Sequence, residues 1–172
     1  KIFSKIFPNE QCNEDCKIFQ NSFRLSWVEP KHFIPGKKNY VYDSFLPDAV
    51  NNFELLYHEK SPRRKFLCMS NIFNSISNLV KFNNDGNDQI GVDDFMPILN
   101  YTLIKAQPKW MFSICKFMEI YIGDLKKKQE DNQLMQLRGI CENMITINNE
   151  SLNDVSEEEY KRKCEETISD VT

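Results

Sequence analysis

Apolar residues along the chain recur at intervals of three and four, and no stretch sustains the two-residue alternation of a half-buried strand. The spacing predicts helices and a fold class that is all-α. The clearest helix covers 61–82: Ser61 can cap it, Pro62 suits its first position, and Phe66, Met69, Phe73, Ile76 and Val80 form one stripe. Another is predicted over 93–106, with Pro97 near enough to its start for the missing N–H to fall among the unsatisfied donors of the first turn. Gln107-Pro108 ends it. Positions 109–121 are apolar on several sides, as in a helix packed between others, and 132–147, 13–24 and 43–57 also carry helical spacing. The stretch through Trp27, Pro30 and Pro35-Gly36 is expected to cross the bundle as a loop. Phe66, Met69, Phe73, Ile76, Trp110, Ile114 and Phe117 are the expected core.

Length and charge narrow the class. The 172 residues carry 22 Lys+Arg against 25 Asp+Glu, a net charge of −3 that excludes a strongly basic nucleic-acid arm. Much of the acid lies at 148–172, where eight acids face three bases. That end is expected to form an exposed acidic helix or a solvated tail. No apolar run approaches the roughly 20 residues of a membrane helix, so no direct membrane insertion is expected. The chain opens at Lys1 with no signal-type segment and reads as an excised fragment of a cytoplasmic protein. Its six cysteines include no Cys-x-x-Cys pair, and His32 and His58 stand alone. Reduced thiols, no metal site and no cofactor are expected. The Lys126-Lys127-Lys128 run reads as a solvated loop.

One loop admits two readings. Asn83, Asp85, Asn87 and Asp94 fall at positions 1, 3, 5 and 12 of an EF-hand-like calcium-binding pattern, with helices on both sides. Position 6 holds Asp88 where the loop needs Gly, position 12 is Asp rather than Glu, and no second such loop exists to pair with it. Tight calcium binding is therefore not expected, and a polar interhelical turn accounts for the same residues.

The other reading rests on the segment Gly91-Val92-Asp93-Asp94-Phe95-Met96-Pro97, followed by Tyr101 and Ile104-Lys105-Ala106-Gln107-Pro108. It resembles the signature of the Vps-nine domain of Rabex-like guanine-nucleotide exchange factors, which act on Rab-five-type small GTPases. Ser61-Pro62-Arg63-Arg64-Lys65 is similar to the family's Pro-Arg-x-Lys, and 25–33 to its helical-bundle element, so the resemblance runs in order over roughly 1–147. It implies a layered helical bundle divided into an N-terminal helical-bundle part at 1–60, a Vps-nine-like core at 61–147 and the acidic end at 148–172. It also implies exchange without covalent chemistry, in vesicle-mediated transport, by a cytoplasmic domain recruited to endosomal membranes.

By the resemblance, Asp93 matches the acidic finger that competes with phosphate for the GTPase's P-loop lysine. Two adjacent acids opening a helix also have a plain explanation as favourable charges at its positive end. Pro97 matches a residue of the apolar groove that receives the GTPase switch regions, and Asn100 and Ile104 extend that stripe. Tyr101 fits the core better. The second wall of the family's groove carries Gly-Tyr-Tyr-x-Thr-Asn-Leu. Aligning its Leu with Leu137 places Asn132, Gln133 and Met135 where the two tyrosines and the threonine stand. An exchange-inactive Rab-binding module is the alternative that this loss favours.

Overall fold

The computed structural model describes residues 9–33, 45–83, 91–122 and 128–169. Among them are the helices α1 (Asn9–Arg24), α2 (Leu46–His58), α3 (Pro62–Asn83), α4 (Val92–Ala106), α5 (Met111–Ile122), α6 (Lys128–Thr146) and α7 (Glu157–Ser169). Two short 3-10 turns, Pro30–His32 and Asn149–Ser151, join them, and no described residue is in a strand. The all-α expectation holds. Residues 84–90, which hold most of the calcium-loop pattern, lie outside the described residues, as do Pro35-Gly36 and Lys126-Lys127.

The predicted stripe of α3 is buried along its length, through Phe66, Met69, Ile72, Phe73, Ile76, Leu79 and Val80. It packs against α2, α4, α5 and α6. Lys65 points inward at the start of this stripe, where its ammonium donates to the Leu56 carbonyl at 2.5 Å and so satisfies a C-terminal acceptor of α2. Burial holds its pKa down to about 8.

Helix α1 ties the ends of two other helices. Asp15 accepts from the Phe112 and Ser113 backbone N–H groups at 2.7 and 3.1 Å and from the Ser113 hydroxyl at 2.5 Å. It thereby caps α5 from a different helix. Asn21 donates to the Met144 carbonyl at 2.7 Å near the end of α6.

Trp110 departs from the expected core. It stands just before α5 with φ 58°, in the left-handed region, and 42% of it is exposed. Its carbonyl accepts from Ile114 at 2.8 Å, so it caps the helix instead of joining its buried face. Ile120 and Tyr121 are also exposed at the far end of α5, whereas Ile114 and Phe117 are buried as expected. Among the described residues, the buried Cys68, Cys115, Cys141 and Cys164 are free thiols.

The acidic end is a docked helix. Most side chains of α7 face solvent, but Cys164 is buried, and the Tyr160 hydroxyl donates to the Ile147 carbonyl at 3.3 Å and accepts from Arg24 at 3.4 Å. Ahead of it, the Asn153 backbone and side-chain N–H groups both donate to the His32 carbonyl, at 2.7 and 3.1 Å. This clasp joins two segments that are far apart in sequence.

Candidate functional site

Helix α4 begins at Gly91, whose extended backbone offers its carbonyl to the N–H groups of Asp94 and Phe95. The apolar residues Phe95, Ile98, Leu99 and Leu103 turn inward. Val92, Asp93, Met96, Pro97 and Asn100 lie at spacings of three and four along the adjoining face and remain exposed or half-buried. Asp93 is exposed at the positive end of the helix, where its charge is favoured. Pro97 is the sixth helical residue, beyond the first turn in which its missing N–H was expected to be harmless. The carbonyl of Asp93 consequently lacks the donor that an ordinary helix would supply four residues on.

Two clefts flank this face. The larger, about 580 Å³, has Phe73, Ser77, Gly91, Val92, Phe95 and Met96 on one side and Gln129, Asn132, Gln133 and Gln136 of α6 on the other. Phe73 and Phe95 stack in its wall with ring centroids 5.3 Å apart. The smaller, about 320 Å³, is lined by Phe33, Val92, Asp93, Met96, Pro97, Asn100, Asn143 and Ser151. Val92 and Met96 belong to both, so they form a ridge between two parts of one groove along α4 and α6. Asp93 is the one ionisable side chain among these lining residues.

The residues singled out from the sequence divide between these places. Asp93, Pro97 and Asn100 meet in the smaller cleft, and Asn132 and Gln133 in the larger. Asn132 is exposed, but Gln133 is only 7% exposed and its carbonyl oxygen accepts from the Ser70 hydroxyl at 3.1 Å. Met135 is 73% exposed and lines neither cleft. Ile104, expected on the α4 stripe, is fully buried and lines neither. Its angle around the helix is right, but eleven residues beyond Asp93 the helix has entered the core, where Tyr101, Thr102, Leu103 and Ile104 are all buried. Tyr101 is core, as expected.

Asn143, Met96, Phe33 and Ser151 were not singled out from the sequence. Asn143 and Met96 continue helical stripes and could have been found by extending them. Phe33 and Ser151 carry no such signal. The fold brings them to Asp93 through the turns at Pro30–His32 and Asn149–Ser151, held by the clasp between His32 and Asn153.

Comparison with known proteins agrees with this architecture. A "GTPase-activating protein and VPS9 domain-containing protein 1" of Bos taurus is 28% identical over 109 residues, covering 63% of this chain and 8% of that protein. Its Xenopus laevis namesake is 27% identical over 152 residues, or 86% of this chain and 10% of that protein. The "Vacuolar protein sorting-associated protein 9A" of Arabidopsis thaliana is 26% identical over 131 residues, or 73% and 25%. The chain thus spans about a tenth of these animal relatives and a quarter of the plant one. The family model of the vacuolar sorting protein 9 (VPS9) domain matches residues 46–149, and the chain belongs to that family.

Proposed function

We propose that this domain is a guanine-nucleotide exchange factor for a Rab-five-like small GTPase, working in the cytoplasm at endosomal membranes. No helix among the described residues is long and apolar enough to cross a membrane. The observation that carries the reading is the exposed Asp93 carboxylate at the lip of a groove that Pro97 also lines, in a chain of the VPS9 family. A small GTPase holds GDP through Mg²⁺ and a P-loop lysine, so a carboxylate presented to that lysine substitutes for the departing phosphate. Asp93 is the acidic finger in this scheme. The helix end fixes where its charge stands, and the groove holds the switch regions that must move for GDP to leave.

The polar α6 wall favours a second reading, a Rab-binding module without exchange activity. Asn132 stands where the family's first tyrosine is expected, and aromatic anchors often dominate interface energy. Fluorescent-GDP release from a panel of Rab proteins separates the two. The expected result is acceleration on at least one Rab, reduced roughly 10²-fold by Asp93→Ala, the scale of losing a preorganised charged group. Binding without acceleration on every Rab supports the module. Acceleration that survives Asp93→Ala within twofold removes the acidic finger.

A further inference from the structure

Gly139 lies inside α6, seven residues after Asn132, three after Gln136 and four before Asn143, on the helix face that carries these groove residues. It is exposed, and a Cβ added to it would meet nothing within 4 Å among the described residues. Neither their packing nor the backbone conformation calls for glycine there. In a helix interior glycine is less favourable than alanine, because it loses more backbone freedom on folding. Gly139 itself lines neither cleft, but the chain forgoes helix stability on the face that carries lining residues of both, leaving a patch of bare backbone there.

We propose that Gly139 is a contact position of the groove, where the main chain of a small GTPase comes against the uncovered backbone of α6. This rests on the exchange-factor reading and extends it to a residue that the family's Asp and Pro positions do not include. The chemistry of the groove fits such an occupant. Side-chain amides on α6, at Asn132, Gln136 and Asn143, can donate to and accept from peptide groups. Asp93 supplies negative charge and no basic side chain stands among the described lining residues, so a segment bearing a cationic group is complementary to them. A side chain at 139 would stand in the path of that segment.

The test pairs stability with exchange in the full 172-residue chain. Gly139→Ala is expected to raise the melting temperature by about 1–4 °C, from the helix preference of alanine over glycine in a chain of this size. Gly139→Gln is expected to fold and melt no lower than wild type, yet to reduce kcat/KM on a responsive Rab by about tenfold or more through steric exclusion. Opposite signs for stability and exchange separate a docking position from a structural one. Exchange by Gly139→Gln within twofold of wild type overturns the inference and leaves the exchange-factor reading intact. A melting temperature lowered by Gly139→Ala also overturns it, since the fold itself would then require glycine. Failure of the wild-type chain to accelerate release on any Rab removes both readings.

Discussion

Two buried ionisable side chains show how single residues set the stability of this domain. Asp15 holds three donors at the start of α5 while buried, and desolvation is the main cause that raises its pKa, against the hydrogen bonds from Ser113 and Phe112. Asp15→Ala would leave the two backbone donors uncapped and is expected to cost about 2–4 kcal/mol in urea denaturation. Asp15→Asn should cost less, because it keeps an acceptor and removes the buried charge. Equal losses for both variants would show that the charge itself holds the cap. Lys65 is a base whose folded pKa, about 8, lies below the ordinary 10.5, chiefly through burial. Between those values the native state releases a proton that the unfolded chain retains, so stability rises with pH. The contribution is therefore fully present above about pH 10.5 and is lost as pH falls through about 8. Relative to Lys65→Met, the wild type should gain up to about 1.4 kcal/mol per pH unit across that window. Denaturation at about pH 7 and about pH 9.5 checks it, and a constant difference between the two proteins would mean that Lys65 stays charged throughout.

Among the elements, α4 departs most from ordinary helix grammar. Pro97 at its sixth position removes the bond to the Asp93 carbonyl and presents an apolar ring to the groove. Pro97→Ala should restore that bond and stabilise the fold by up to about 3 kcal/mol, while weakening exchange through loss of the ring. Greater stability with unchanged GDP release would assign the proline no part in docking. The helices themselves were legible in the sequence, because stripes such as Phe66, Met69, Phe73 and Ile76 need only the 3.6-residue period. Depth along a helix was not. Ile104 has the angle of a groove residue and the burial of a core one, since periodicity reports direction and not how far a neighbouring helix extends. Trp110 escaped the pattern for another reason: a single left-handed residue turned it out of the helix it seemed to begin.

At the scale of the whole molecule, the site reaches beyond the segment that identifies the family. Asp93 and Pro97 could be found through local resemblance, but Phe33 and Ser151 join them only through contacts between distant parts of the chain. Both lie outside the matched 46–149, as do Asp15 and Asn21, which tie the ends of α5 and α6. A fragment of 46–149 alone should therefore melt well below the full chain and lose near-ultraviolet circular dichroism. A cooperative transition within a few degrees of the full chain's would show that α1 and α7 are dispensable to the fold.

The ridge of Val92 and Met96 has a kinetic consequence. A surface seated on both clefts straddles it and is gripped at two places, so release at one side leaves the other engaged and re-engagement becomes an intramolecular event. Each grip can then be weak while the pair still holds. A substitution confined to one cleft should shorten the lifetime of the complex far more than it slows encounter. In an exchange factor of the kind proposed, which must let its partner go after each turnover, the divided groove would provide dwell time that can be adjusted one half at a time.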